Sequence, residues 1–256
     1  MASTVKSSNE LEPGPARILR LLEGLARSDQ PAKLAEIADW LQVPKSNAHR
    51  MVQMLLKAGF ASQEPGTDRY VSALKLYELG MLIANRHPLK RAAGSHLLEL
   101  QRATEETVAL VVLEGTDILY VERLSSLIPI RATLQAGWRV PAVFTAAGQA
   151  LLAFHSDAPA IVEQILREEP RASGLDAASL SQRFETIRGC GYAMTRSGWN
   201  AGVNSVAAPI LSRRGSPAGA VALIGPTERM DDDFMRQNAK LVMNTCLRIS
   251  ETLGYL

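Results

Sequence analysis

Seven polar side chains crowd residues 45–57: Lys45, Ser46, Asn47, His49, Arg50, Gln53 and Lys57. On a helix Ala48, Met51, Val52, Leu55 and Leu56 form one apolar face, and Lys45, Ser46, His49, Arg50, Gln53 and Lys57 form an uninterrupted polar one. This chemistry is hydrogen bonding to base edges and charge neutralisation of phosphates. Ser46, Asn47, His49, Arg50 and Gln53 carry the donors and acceptors that a DNA major groove presents in complement. Lys45, Lys57 and, further on, Arg69 suit the backbone phosphates. A solvated helix face is the competing reading, and the flanking elements decide against it.

Those elements are legible. Leu34, Ile37, Ala38 and Leu41 recur at helical spacing, predicting a short helix from Lys33 that Gln42 and Val43 break. Pro44, comfortable only in a first helical turn, restarts the chain as a second helix, and Gly59 stops it. Residues 60–63 and 69–71 read as short strands around Glu64-Pro65-Gly66-Thr67-Asp68, a hairpin beside the second helix. Helix, turn, helix and hairpin together are a winged helix-turn-helix.

At 256 residues the chain is long enough for two domains, and its composition is that of a globular protein. The net charge is only +2, but through Arg91 there are 13 Lys and Arg against 9 Asp and Glu. The positive excess therefore accompanies the polar helix. Cys190 and Cys246 are too few for a disulfide framework and read as reduced packing residues. No secretory leader and no membrane-length apolar run is evident, so a cytoplasmic protein without a membrane partner is expected.

Residues 1–12 read as a flexible lead. Pro15 opens a helix with Ile18, Leu19, Leu22 and Leu25 in its stripe, and the added breadth from Leu21 hints at a second chain. Ser72 is expected to cap a linker helix through Arg86, and Pro88 separates it from a helix running to Thr104. The expected domains are 13–72 for DNA binding, 73–87 as linker helix and 88–256 as a second domain. In the latter, strands are predicted at 107–113, 118–124, 128–135, 192–196, 203–211 and 218–224. Helices are predicted at 145–154, 160–168, 176–188 and 231–252. Strands, helices, strands and a closing helix describe an α+β domain on a mainly antiparallel sheet.

No catalytic constellation emerges. The chain has no Gly-x-Ser-x-Gly elbow, phosphate loop or His-Glu-x-x-His pair, its four histidines are scattered, and no His neighbours Cys190 in sequence. Glu105-Glu106, Glu168-Glu169 and Asp231-Asp232-Asp233 fall at helix ends, where capping and solubility explain them. No enzyme activity, metal or cofactor is expected. A ligand-sensing role fits better, because Trp199 lies in a glycine-flanked loop, 198–202, between two predicted strands.

Three stretches together resemble the IclR family of bacterial transcriptional regulators: Leu41-Gln42-Val43-Pro44-Lys45-Ser46-Asn47-Ala48-His49-Arg50, Phe144-Thr145-Ala146-Ala147-Gly148-Gln149-Ala150-Leu151-Leu152-Ala153, and Gly202-Val203-Asn204-Ser205-Val206-Ala207-Ala208-Pro209-Ile210 followed by Ala222-Leu223-Ile224-Gly225-Pro226. The resemblance implies an N-terminal winged helix-turn-helix, a linker helix and a C-terminal GAF-like effector domain. It also implies a homo-oligomer, dimer or dimer of dimers, on double-stranded DNA at a palindromic operator, more often as a repressor, governed by a small-molecule effector. By position, the effector pocket it implies falls on Val140, Ala146, Ala147, Thr195, Ser205, Ala222 and Ile224, with Trp199 and Asn200 over it. Members that recognise small 2-oxo acids place serines at the positions of Ala222 and Ile224 and an acidic residue near Thr195. Their absence here points to a larger, partly apolar or aromatic acid. An architectural DNA-binding protein with a structural dimerisation domain, or an enzyme fused to a DNA-binding module, are the alternative readings.

Overall fold

The computed structural model describes residues 14–129 and 136–255. The expected lead at 1–12 and most of the strand expected at 128–135 lie outside them. The chain folds as two units, one ending at Ile83 and the next beginning at Ala84.

The first unit contains α1 (Gly14–Arg27), β1 (Ala32–Lys33), α2 (Leu34–Leu41), α3 (Lys45–Ala58), β2 (Ala61–Gln63) and β3 (Arg69–Ser72). It also holds most of α4 (Lys75–Arg86). Its core joins Leu21 and Leu25 of α1 to Ile37, Ala38, Leu41, Ala48, Met51, Val52 and Leu55. In α1 the buried stripe is set by Leu21 rather than the expected Leu19, which is 61% exposed. Sequence spacing allowed either, and the partner surface selected one. The turn between α2 and α3 depends on Gln42, held at φ 52° so that its N–H and that of Val43 close onto Asp39 and Ala38. Pro44 stands at the N-cap of α3 with extended ψ, one position before the first turn. β1, a strand too short to leave a sequence signal, pairs with β3 and completes a three-stranded sheet of order β1-β3-β2. Ser72 is the last residue of β3 rather than the cap of α4, since its backbone is committed to the Ala61 pairing.

The second unit continues with α5 (Pro88–Thr104), β4 (Thr107–Glu114), β5 (Asp117–Leu124), β6 (Arg139–Pro141) and α6 (Ala146–Phe154). Then follow α7 (Ala158–Glu168), α8 (Ala177–Cys190), β7 (Ala193–Arg196), β8 (Val203–Leu211), β9 (Pro217–Pro226) and α9 (Asp232–Thr252). Six antiparallel strands run in the order β6-β5-β4-β9-β8-β7. Strand alternation sorts side chains onto two faces. Val108, Leu110, Val206, Ala208, Ile210, Val221 and Leu223 pack with α5 and α9. Ala109, Val111, Ile118, Tyr120, Val140, Ala193, Ala207, Ala220, Ala222 and Ile224 pack with α6, α7 and α8. The first face is bulky and the second rich in alanine near its centre, which lets α6 lie so close that eight of its nine residues are buried.

Two ion pairs pin the end of the sheet. Glu106, only 2% exposed, accepts from Arg229 Nε and Nη2 at 2.5 and 3.1 Å. Arg196 at the end of β7 forks onto Asp232 at 2.5 and 2.6 Å. Glu106 is therefore a buried structural anion, not the solubility residue expected from its position at a helix end. Its hydrogen bonds raise the Arg229 pKa further above the ordinary guanidinium value.

Candidate DNA interface and effector site

The face of α3 opposite its buried stripe carries Ser46, His49, Arg50, Gln53 and Lys57, with Lys45 at one flank and Asn47 at the other. Lys45, Ser46, His49, Arg50 and Lys57 are exposed, and Asn47 and Gln53 half-buried. Gln53 Nε2 stands 3.5 Å from His49 Nε2, one helical turn away. Among the described residues no acid pairs with Lys45, Arg50 or Lys57, which leaves their charges for a polyanion. Arg69 is differently placed, because its Nη1 donates to the Pro31 carbonyl at 2.8 Å and buttresses the base of the wing. Sequence reasoning missed Lys75, which lies in the first turn of α4. Its Nζ donates to the Ala58 carbonyl at the end of α3 at 2.8 Å and sits 4.6 Å from the Phe60 ring centre. α4 is thus tied to the C-terminus of α3, where a cation also meets the negative end of the helix dipole.

In the second unit, strand register brings two rows together on the α6 face. Thr107, Ile224, Ser205 and Thr195 stand side by side across β4, β9, β8 and β7. Ala109, Ala222, Ala207 and Ala193 form the adjoining row. Of the positions implied by resemblance, Val140, Ala146, Ala147, Ala222 and Ile224 belong to a single buried cluster, against which Trp199 and Phe144 pack. Thr195 Oγ1 and Ser205 Oγ are 2.8 Å apart and satisfy each other. Thr107, fully buried and holding the Ser126 N–H through Oγ1, completes the hydroxyl row. Its place two residues before Ala109 on one strand was the available signal. Asn200 is exposed, with its carbonyl taken by the Val203 N–H.

α6 begins in this cluster. Thr145 caps it by accepting the Gly148 N–H at 2.9 Å. The N–H groups of Ala146 and Ala147 have no acceptor among the described residues. They stand at the positive end of the helix dipole, where an anion is favoured. Trp199 roofs the region, its ring 5.7 Å from that of Phe144 and tilted by 47°. The loop closes because Gly198 lies against the Phe144 carbonyl, where any Cβ would collide. Nearby Asp117, half-buried at the start of β5, has its pKa raised by desolvation, opposed by Arg139 and reinforced by Glu169.

Comparison with known proteins matches residues 15–65 to the IclR helix-turn-helix domain and residues 81–251 to the family described as bacterial transcriptional regulator IclR C-terminal. The chain belongs to the IclR family. Its relatives include the transcriptional regulator KdgR of Escherichia coli, 26% identical over 244 residues, covering 93% of this chain and 92% of that protein. The glycerol operon regulatory protein of Streptomyces griseus is 31% identical over 221 residues, covering 85% of each. Thermotoga maritima IclR superposes with a TM-score of 0.74 at 24% identity, over 94% of this chain and 98% of that one. An IclR homologue of Microbacterium hydrocarbonoxydans, solved with 4-hydroxybenzoate, gives 0.79 at 23% over 94% and 99%. Like its relatives, this IclR-family chain is a DNA-binding transcriptional regulator and not an enzyme. Among the described residues no His, Cys, Asp and Glu group could hold a metal, and no helix is long and apolar enough to cross a membrane.

Proposed function

We propose that this regulator is a repressor released from its operator by a small aromatic or partly apolar acid bound at the N-terminal end of α6, beneath Trp199 and Phe144. The observation carrying the reading is the pairing of an alanine-lined floor with the unsatisfied amides of Ala146 and Ala147. A carboxylate at those amides, beside Thr195 and Ser205, meets donors and a positive dipole end. The rest of the molecule would meet Val140, Ala222, Ile224, Phe144 and Trp199, which favour a ring over a compact oxo acid. The homologue holding 4-hydroxybenzoate supports the same class. Asn200, exposed in this state, would join the ligand only when its loop moves.

The domains act as 13–72, 73–87 and 88–256 in this reading. Ser46, Asn47, His49, Arg50 and Gln53 read bases, and Lys45, Lys57 and the wing at Arg69 position the backbone. A homodimer supplies two recognition helices. Its support is α4, none of whose residues is buried, and which leaves Tyr77, Leu82 and Ile83 52 to 70% exposed. A helix with so little covered surface is stabilised by packing on a second copy. Coupling requires an effector that binds one arrangement of the paired helices better than the other, and the Lys75 tie transmits that difference to α3.

The test combines gel shifts on DNA upstream of the gene with calorimetry. Binding to one defined palindrome, lost in Arg50→Ala and weakened by benzoate-type acids, is the expected result. Retention of operator affinity in Arg50→Ala overturns the recognition-helix assignment, and micromolar binding of only glyoxylate or pyruvate overturns the effector class.

A further inference from the structure

The floor and the helix end by themselves leave the effector site without a full counter-charge. The floor is apolar, and the α6 N-terminus supplies only a fraction of one positive charge. A carboxylate moved from water to such a place is destabilised unless it is paired and hydrogen-bonded. Two arginines at the end of the sheet are already committed to carboxylates, Arg196 forked onto Asp232 and Arg229 onto Glu106.

Arg171 is not so engaged. It lies in the short 3-10 turn Pro170–Ala172, which Ala172 anchors in the same core as the site and which Glu169 caps by accepting the Arg171 N–H at 3.0 Å. The guanidinium carbon stands 3.8 Å from the centre of the Trp199 ring and 5.8 Å from that of Phe144. Nη2 donates to the Trp199 carbonyl at 2.5 Å. One of five N–H donors is thereby used, and among the described residues no carboxylate lies within ion-pair distance. Aromatic stacking orients the guanidinium plane without neutralising it. It also fixes the cation to the two rings that roof the α6 N-terminus.

We propose that Arg171 is the counter-ion of the effector's carboxylate and the residue that makes this site choose acids over their neutral isosteres. The Trp199 and Phe144 rings are packed on the floor, so a ligand enters by displacing that roof. The bond to the Trp199 carbonyl moves Arg171 with it. An entering acid offers the free edge of the guanidinium two oxygens in place of one carbonyl, while an amide of the same shape offers one oxygen and two competing donors. Arg171 is thus a specificity residue as well as the clip between the 170–172 turn and the Trp199 loop. This inference rests on the proposed site and adds its charge selectivity.

The test is calorimetry of the full chain with 4-hydroxybenzoate and its uncharged isostere 4-hydroxybenzamide. The native protein should prefer the acid by about tenfold or more, the scale of a charge-assisted hydrogen bond over a neutral one. In Arg171→Gln the ratio should collapse toward one while amide affinity changes by less than about threefold. Arg171→Lys should keep part of the preference, since charge survives and the planar fork does not. A native ratio near one, an unaltered ratio in Arg171→Gln, or none in Arg171→Lys overturns the role of Arg171 alone. Failure of the native protein to bind either compound overturns the proposed effector class and this inference with it. Arg171 is exposed, so Arg171→Gln should melt near the native temperature. Should it unfold, the Arg171→Lys ratio decides.

Discussion

Removing Arg229 should harm this protein more than removing the charge of Glu106, although both changes break the same ion pair. Glu106 is 2% exposed, while 27% of the Arg229 side chain reaches solvent. Arg229→Ala strands a carboxylate in the protein, a situation that typically costs about 3–5 kcal/mol. Glu106→Gln leaves a cation that can turn to water and an amide that still accepts one hydrogen bond. Its expected cost is about 1–2 kcal/mol. The pair of substitutions together should recover part of the Arg229→Ala loss. Urea denaturation of the three variants near pH 7, followed by circular dichroism, measures all of this. Equal losses in the two single variants, or a double variant no more stable than Arg229→Ala, would refute the reasoning.

Other outcomes follow from single contacts. Lys75→Met removes the hydrogen bond to the Ala58 carbonyl and should weaken operator binding although Lys75 lies outside α3; unchanged affinity in a gel shift counts against the tie. Lys45→Ala should lower affinity for every DNA sequence and flatten the slope of log affinity against log salt by about 0.9, read by fluorescence anisotropy in a salt series. Asp117→Asn should stabilise the fold at neutral pH. Burial raises the native Asp117 pKa, so stability is lost as pH climbs from the ordinary aspartate value through the raised one, and the gain in melting temperature should fade toward pH 4. Cys246, buried with its thiol pushed up to about 12 by desolvation, should resist a thiol reagent that labels exposed Cys190; rapid labelling of both in the native state contradicts the burial.

The sequence by itself determined what is periodic or punctuated. The α2–α3 pair, the wing, β4, β5, β8 and the start of α9 at Asp231 follow from apolar spacing and from Pro, Gly and Asp at element ends. The division of α3 into buried and polar faces follows for the same reason, since a helix fixes every side chain's direction once its register is known. What tertiary structure alone decided are relations between distant segments. β1 and β6 are two and three residues long, too short for a period, and exist because β3 and β5 offer them edges. Leu21 displaced Leu19 in the α1 core because the surface it packs on is absent from its own neighbourhood in the chain. Glu106 reads as a helix-end charge until Arg229, 123 residues away, is folded over it. Arg171 carried no motif, and only the meeting of the 170–172 turn with Phe144 and Trp199 sets a cation against those two rings. Local pattern encodes the direction of a side chain along one element, whereas a partner for its charge is supplied by strand register and packing between elements, which no short stretch of sequence contains.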